Sequence, residues 1–521
     1  MSRFFVLTLA ASAAVASAAS AQTPCRDLAS ASLPGVTITA AEPVPAGPYA
    51  PRAKAPAFPP APSAPLPEHC RVAAVLKPSP DSHIEMELWL PAEGWNGKFQ
   101  GVGNGGFAGS ISYGAMAGAL GEGYATASTD TGHKGGNALF GIGHPEKVVD
   151  YAYRAVHEMT VASKALVEAF YGRGPRLSYW NGCSTGGRQG LMEAERYPED
   201  YDGIVAGAPA NYHSRLHAAD LATAVPILLD PERNLPRTKL ERLHAAVMDA
   251  CDPLDGVLDG VLENPGLCGF DPAALLCTGL DSADCLTRPQ LEAVRSIYGP
   301  VRFSSGETLF AGRAPGSESG WMMFGTGRPS PVSMGTFQLA TQDAEWDWRT
   351  FDKDRDTRLA DETTGFINAV DPDLRAFRDR GGKLLLYHGW NDPGISPYNT
   401  IDYYSSVLAA TGPGREDWVR LFLVPGMGHC SGGSGTDQAH YMGALERWRE
   451  SGIAPERIEA HRVADNRVER SRPLCPYPQV AVYTGTGSTN DAANFLCRDP
   501  RAPGAGKPED RREHGQPGSP R

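Results

Sequence analysis

The chain has 521 residues, a formal net charge of −12 and a hydrophobic content of 41%. This length exceeds that of one ordinary domain and is sufficient for a catalytic core with a large insertion. Acidic and basic residues are dispersed without a lysine/arginine stripe, which argues against a nucleic-acid-binding protein.

The first 21 residues predict a secretory signal peptide. A short basic start, Met1–Arg3, precedes an apolar stretch from Phe4 to about Ala16, and the small residues Ala19–Ala21 then provide a cleavage site. This stretch is too short for a membrane anchor, and no other run of roughly eighteen apolar residues occurs. We therefore expect an exported protein, periplasmic or extracellular, that has no membrane anchor.

The rest of the chain divides by composition. Residues 22–67 form a Pro/Ala-rich segment, expected to lie extended over the surface, and residues 498–521 form a charged tail expected to be disordered. A strand–loop–helix rhythm marks residues 68–208 and 375–497, whereas residues 209–374 predict loops and short helices. The pattern favours an α/β core interrupted by an inserted lid domain.

A glycine-rich loop, Gly103–Gly109, follows the strand-like run Lys98–Gly101. It lacks the dinucleotide-binding fingerprint, because no clean Gly-x-Gly-x-x-Gly opens a helix with an acid about twenty residues later. Gly105 and Gly106 let the backbone approach a reacting group closely, so their N–H groups are candidates for an oxyanion hole.

A Gly-x-Ser-x-Gly turn surrounds Ser184, between the strand-like run Leu177–Trp180 and the predicted helix Arg188–Arg196. Such a turn holds the serine in a sharp corner, where its Oγ stands clear of the backbone and faces the amides of the following helix. The N–H of Thr185 is the second candidate oxyanion donor. The alternative is a glycine-rich turn with an ordinary serine.

The predicted lid contains an acidic run flanked by two cysteines. Three carboxylates, those of Asp252, Asp255 and Asp259, occur within eight residues and alternate with glycines. With the carbonyls of Val257 and Val261 they can surround one Ca²⁺ ion, which prefers oxygen ligands. The spacing is not that of an EF-hand, and we expect a structural ion. The alternative is an acidic surface turn.

Two further strand ends carry polar residues. Asp392 closes the turn after the buried run Leu384–Tyr387, and His429 follows the run Leu421–Val424. The carboxyl ends of parallel strands meet at one edge of a sheet, so Ser184, Asp392 and His429 are predicted to form a triad in which the imidazole takes the serine proton.

The alternative acid is Asp130. It precedes the serine in the chain, which disfavours it, because the acid follows the nucleophile in triads built on this kind of turn. Asp130 and His133 are expected to support the loops around the site.

The motifs Cys183-Ser184, Asp392 and His429-Cys430, in this order, resemble the tannase and feruloyl esterase family, which also contains the mono-hydroxyethyl terephthalate hydrolases. The resemblance covers residues 68 to 497. It implies an α/β-hydrolase core with a large lid, a disulfide between Cys183 and Cys430, and calcium at the acidic run. Some members carry an acidic residue after the nucleophile, where this chain has Thr185.

Ten cysteines in an exported chain predict five disulfides. Proximity in sequence and the resemblance together imply the pairs Cys25–Cys70, Cys183–Cys430, Cys251–Cys268, Cys277–Cys285 and Cys475–Cys497.

The resemblance also implies cleavage of aromatic esters through an acyl-enzyme. The acids are of hydroxycinnamic, gallic or terephthalic type, and the substrate is a small aromatic ester, in some cases attached to plant polysaccharide or polyphenol. Trp321 and Phe324 of the lid, and His388 and Ile395 beside the acid, are the candidate substrate-binding residues. The lid aromatics could equally form its own core. The alternative functions are a serine peptidase or amidase and a non-catalytic polyphenol- or carbohydrate-binding protein.

Overall fold

Runs of β-branched and aliphatic residues build the central sheet of the molecule. A computed structural model describes residues 22–49, 65–412 and 417–500, and within them nine strands form one sheet. The predicted signal peptide, residues 1–21, and all but the first residues of the predicted tail, 498–521, lie outside the described residues.

The strands are β1 (Val36–Val44), β2 (His69–Leu76), β3 (Ile84–Pro91), β4 (Lys98–Val102), β5 (Ala125–Thr129), β6 (Leu177–Cys183), β7 (Gly203–Gly207), β8 (Val301–Arg302), β9 (Thr308–Phe310), β10 (Lys383–Gly389), β11 (Val419–Val424), β12 (Gln438–Ala439), β13 (Ile458–Ala464), β14 (Arg467–Leu474), β15 (Val480–Tyr483) and β16 (Phe495–Arg498). The α-helices are α1 (Tyr113–Gly121), α2 (Pro145–Val149), α3 (Ala155–Tyr171), α4 (Thr185–Arg196), α5 (His213–Leu229), α6 (Arg237–Cys251), α7 (Arg288–Tyr298), α8 (Pro331–Thr341), α9 (Lys353–Thr364), α10 (Arg375–Asp379), α11 (Pro397–Thr411) and α12 (Tyr441–Ser451).

The sheet has the strand order β1-β2-β3-β5-β4-β6-β7-β10-β11. Strands β1, β2, β3 and β5 pair antiparallel, and from β5 to β11 every neighbouring pair is parallel. Strands β4, β5 and β7 are buried along their whole length, as expected for a parallel sheet covered by helices on both faces. This is the α/β-hydrolase architecture that the sequence predicted.

The sheet begins before residue 68, where the sequence placed the start of the core. Strand β1 lies within the Pro/Ala-rich segment and pairs with β2 along its whole length. The disulfide Cys25–Cys70 fastens this segment to β2. Its outward-facing polar positions obscure the strand in the sequence, because β1 is an edge strand with only partial burial.

The insertion, residues 208–382, separates the neighbouring parallel strands β7 and β10 and contains α5 to α10. The expectation of loops and short helices there is wrong for its first part, since α5 has 17 residues and α6 has 15. Most residues of α5 are buried, polar ones included. A helix buried on nearly all sides lacks the one-sided apolar pattern by which a surface helix is recognised.

Two small sheets follow the central one. Strands β12 to β14 form a three-stranded sheet, and β15 pairs with β16. Val257 of the insertion packs with Cys475, Ala481 and Phe495 in one apolar cluster. The C-terminal strands therefore support the acidic run.

The ten cysteines, all within the described residues, form the five disulfides that the sequence predicted. None of the helices formed by residues 22–49, 65–412 and 417–500 is long and apolar enough to cross a bilayer.

Candidate active site

Ser184 stands in the corner between β6 and α4. Its backbone angles, φ 63° and ψ −122°, are unusual for a residue with a side chain and are those of a strained nucleophile turn. Glycine allows the close packing around it: a Cβ on Gly187 would lie 2.4 Å from the carbonyl oxygen of Gly207. The Ser184 N–H donates to the same carbonyl at 2.9 Å, so β7 holds the turn in place.

The structure brings together the predicted acid and base. Asp392 follows β10, His429 follows β11, and the N–H at Nδ1 of His429 donates to Oδ2 of Asp392 at 2.6 Å. The backbone amides of Gly394 and Ile395 both donate to Oδ1 of Asp392 at 2.9 Å. The Asp392 side chain is completely buried, whereas that of His429 is 38% exposed. The imidazole thus faces outward while the acid behind it is shielded from water.

His388 is not a substrate-binding residue, contrary to the sequence prediction. It is completely buried, and both ring nitrogens have partners. Nε2 lies 3.2 Å from Oδ2 of Asp392 and 3.0 Å from the carbonyl oxygen of Ile395, and since both are acceptors, Nε2 carries the proton. Nδ1 then accepts from the Thr400 hydroxyl at 2.7 Å. His388 therefore holds the acid from below, because its position on the buried strand β10 directs it away from solvent.

The pKa shifts of Asp392 and His429 agree with these roles. Burial by itself would raise the pKa of Asp392, but the charge on His429 and the hydrogen bonds from both histidines bring that pKa well below its usual value. Burial by itself would lower the pKa of His429. The charge of the Asp392 carboxylate and its hydrogen bond have the larger effect, so the pKa of His429 is raised above its usual value of 6.5. The pair favours a charged imidazole, as a base that must accept a proton requires.

A disulfide joins the two halves of the site. Cys183, immediately before Ser184, is bonded to Cys430, immediately after His429, with a Cα–Cα distance of 6.1 Å. Serine and histidine are thereby held on adjacent loops although they lie far apart in sequence.

The glycine-rich loop packs against the nucleophile turn. The Thr185 hydroxyl donates to the carbonyl of Gly106 at 2.7 Å, and the Gly186 N–H donates to the carbonyl of Asn104 at 2.8 Å. Among the described residues, no group accepts a hydrogen bond from the N–H of Thr185, Gly105 or Gly106. These amides therefore remain the candidate oxyanion donors.

The other predicted pocket residues belong to the protein interior. Trp321 is 1% exposed and Phe324 is 2% exposed, and both lie in the apolar core of the insertion. The Trp321 indole N–H donates to the Ser317 hydroxyl at 3.0 Å, and the Arg313 guanidinium lies over the Phe324 ring. Their prediction as substrate contacts is corrected to a packing role, since large aromatic side chains contribute most when fully buried. Ile395 is also buried, directly behind the acid.

Asp130 and His133 lie in the loop after β5. Asp130 accepts hydrogen bonds from the amides of Glu85 and Gly132, each at 2.9 Å, and the His133 ring stacks on Phe140. Neither contact involves Ser184 or His429, and both fix the loop that carries them.

The acidic run folds into a compact loop closed by Cys251–Cys268. Residues of this loop and of the C-terminal strands surround a cavity of about 10 Å³, the space of a single water-sized particle. Its lining residues are Asp255, Val257, Asp259, Val261, Glu263, Arg472, Ala481 and Phe495. Asp252 does not line this cavity: its carboxylate accepts the N–H of Gly260 at 3.0 Å and braces the loop.

Glu263 is the residue that sequence reasoning missed at this loop. Burial raises its pKa to about 8 and that of Asp255 to about 6, which shows how strongly this oxygen-rich cavity disfavours uncompensated charge. The residues present fit a hard cation such as Ca²⁺. Glu263 follows Asp259 by four residues within the same disulfide loop, and this spacing is the sequence signal from which it could have been predicted.

Comparison with known proteins decides the relationship. The family description "Tannase and feruloyl esterase" matches residues 70–498. This chain belongs to the tannase and feruloyl esterase family. It is a carboxylic ester hydrolase with an α/β-hydrolase fold.

Individual relatives agree with this assignment. A mono(2-hydroxyethyl) terephthalate hydrolase from Piscinibacter sakaiensis is 36% identical over 84% of this chain and 86% of its own. An uncharacterized esterase from Xanthomonas campestris is 38% identical over 95% of each chain. The crystal structure of feruloyl esterase B from Aspergillus oryzae superposes with a TM-score of 0.84 and 32% identity, over 91% of this chain and 99% of that one.

Proposed function

We propose that this protein is an exported serine esterase that cleaves esters of aromatic acids, with Ser184 as nucleophile, His429 as general base and acid, and Asp392 orienting the imidazole. The observation that carries the proposal is the hydrogen bond between His429 and Asp392 on a loop that a disulfide joins to the strained serine turn. This arrangement provides both a proton acceptor for the hydroxyl and a fixed position for it.

The proposed reaction uses the triad in two steps. His429 removes the proton from Ser184 Oγ, which attacks the ester carbonyl, while the N–H groups of Thr185 and of the glycine-rich loop stabilise the resulting oxyanion. His429 then gives the proton to the departing alcohol and leaves an acyl-enzyme. Water, deprotonated by the same imidazole, attacks the acyl carbonyl, and the aromatic acid leaves as Ser184 regains its proton.

The insertion supports the proposal as a lid over this site. Its α8 begins beside the glycine-rich loop, where a Cβ on Gly106 would lie 3.8 Å from Val332. Gly320 of the insertion packs directly on Pro393, next to the acid. Loops that enclose a site exclude water and shape its acyl pocket. Feruloyl esterase and terephthalate hydrolase relatives carry aromatic acids in their names, which favours a planar aromatic acyl group here.

Export and calcium complete the proposal. Five disulfides are typical of proteins that work outside a reducing cytosol, in agreement with the predicted signal peptide. At the acidic loop, Asp255, Asp259 and Glu263 would hold Ca²⁺ with the carbonyls of Val257 and Val261, while Asp252 braces the loop. The ion would supply structural support and no chemistry.

The test is Ser184→Ala. We expect ester turnover to fall by roughly 10⁶-fold with an unchanged unfolding temperature, because serine and histidine act as a unit. A fluorophosphonate probe should label the unmodified protein and not the variant. The matched control is Ser406→Ala, an exposed helix hydroxyl bonded to the carbonyl of Asp402, which should keep full activity.

The competing functions give different results in the same assay. A serine peptidase or amidase would cleave amides or anilides of its preferred acid efficiently, whereas an esterase would not. A non-catalytic binding protein would take up the aromatic ester without releasing its acid. Either outcome would contradict the proposal.

A further inference from the structure

A second cluster of possible metal ligands lies away from the active site and the acidic loop. It consists of His157 on α3, Glu193 near the end of α4 and Asp200 in the loop before β7, whose ligand atoms all lie within 4.8 Å of one another. We propose that these three residues bind a divalent transition-metal ion, with Zn²⁺ as the best match. A second grouping, Cys277, Asp281 and Cys285, is excluded because its sulfurs form a disulfide.

Glu193 is the observation that points to a ligand. Its side chain is completely buried, and no group in the described part of the chain donates a hydrogen bond to either carboxylate oxygen. The neighbouring polar group is the carboxylate of Asp200, which is itself an acceptor. Two buried carboxylates that face each other must either share a proton or have a cation between them.

His157 supplies the third ligand and the entry path. Its Nδ1 lies 2.6 Å from Oδ2 of Asp200, and its ring stacks on Tyr197 with centroids 3.8 Å apart and planes 9° apart. The stacking fixes the orientation of the ring. The side chain is 25% exposed, so an ion and a water ligand can reach the site from solvent. One imidazole nitrogen, two carboxylate oxygens and a water form a donor set that Zn²⁺ accepts.

The surrounding charges leave room for a divalent cation. Lys164 is a cationic side chain beside the cluster, and its Nζ donates to the backbone carbonyls of Glu199 and Asp200, not to the carboxylates. A metal bound to the ring would displace the proton that His157 shares with Asp200, and the two carboxylates would then carry two negative charges that a divalent ion balances.

The ion would act as a clamp. It would tie α3 to the C-terminal half of α4 and to the loop that leads into β7. Glu193 lies nine residues after Ser184, on the helix that begins at Thr185, and roughly 13 Å along its axis, so the site takes no part in ester cleavage. Its effect would be to hold the helix that begins at the nucleophile.

The experiment uses the full-length protein without an affinity tag, freed of transition metals and kept in excess Ca²⁺. Titration with Co²⁺ and with Zn²⁺ should give one equivalent per chain, with visible Co²⁺ absorption and a higher unfolding temperature. His157→Ala and Glu193→Gln should each weaken the affinity by at least about tenfold. Glu193→Gln preserves side-chain shape if the histidine variant fails to fold.

The matched control is His144→Ala. His144 forms an exposed pair with Asp81 at 3.0 Å and has no buried carboxylate beside it, so its removal should leave the stoichiometry and affinity unchanged. Two results would overturn the inference. One is the absence of saturable binding, with Glu193→Gln as stable as the unmodified protein, which would mean that the two carboxylates share a proton. The other is binding that survives both ligand substitutions.

Discussion

The carboxylate of Asp392 accepts hydrogen bonds from two backbone amides and from the rings of His388 and His429. Each bond favours the ionised acid and fixes its direction. A single side chain thus receives support from its own loop, from the strand before it and from the loop that carries the base.

Asp392→Asn should lower kcat by about 10⁴-fold, because an amide cannot stabilise the protonated imidazole or its correct tautomer. In the unmodified enzyme, activity should fall as the pH decreases through the pKa of His429, which the Asp392 carboxylate raises above its usual value. Without the carboxylate charge, burial lowers that pKa, so the acid limb of the kcat/KM profile should move to lower pH. A limb that stays in place would show that another group titrates.

His388→Phe should lower kcat by about tenfold to a hundredfold with little change in KM, because Asp392 loses a donor and the imidazole moves with it. His388→Gln is the control, since an amide can still donate to the carboxylate and should restore most of the rate. Steady-state kinetics over a range of pH, with thermal unfolding of each variant, make the comparison. Equal losses in both variants would indicate a packing role only.

At the scale of elements, the site consists of strand ends. Ser184, Asp392 and His429 follow β6, β10 and β11, and the glycine-rich loop follows β4. The disulfide Cys183–Cys430 spans 247 residues of sequence and joins the loops of nucleophile and base.

Replacing Cys183 and Cys430 by alanine should lower kcat by about a hundredfold, because a displacement of His429 of about 1 Å is enough. The control is the double alanine replacement of Cys277 and Cys285, which close a short loop of the insertion. Both variants are compared by kinetics and by thermal unfolding. If the first variant folds and keeps its full kcat, the disulfide is a general stabiliser.

Sequence reasoning predicted these elements well. Strands around 98–101, 177–180, 384–387 and 421–424 appear within one to three residues of their expected ends, because buried parallel strands form continuous apolar runs. It failed where burial depends on distant partners. The segment 388–395 around Asp392 contains both buried and partly exposed residues, and only the fold shows that His388 is directed inward.

At the scale of the whole molecule, the acidic loop lies where the insertion meets the C-terminal sheets. Arg472 of β14 forms an ion pair with Asp259, and the Ala481 N–H donates to Glu263 at 2.8 Å. More than two hundred residues separate these partners, so no local pattern could have predicted the contact.

Removing Ca²⁺ should lower the unfolding temperature, because the ion binds the folded loop and not the unfolded chain. At an ion concentration one hundred times the Kd, the free energy of unfolding that is lost is about 2.7 kcal/mol. Asp255→Ala should reproduce the effect without added chelator. Asp284→Ala, at an exposed acid of the same insertion, is the control. Any activity that is lost with the ion should return when Ca²⁺ is restored. An unfolding temperature indifferent to both chelator and Asp255→Ala would contradict the site.

The insertion also affects how the chain folds. Strand β10 can join β7 only after everything between Gly207 and Lys383 has been looped out, and the acid and base both lie beyond that point. The entropy of closing a loop grows slowly, by about 0.6 kcal/mol for each doubling of its length, whereas such distant pairing slows folding. Lengthening or shortening the insertion should thus change the time needed to assemble the triad far more than the equilibrium stability of the sheet. During evolution, the insertion around the active site can therefore change with little loss of equilibrium stability.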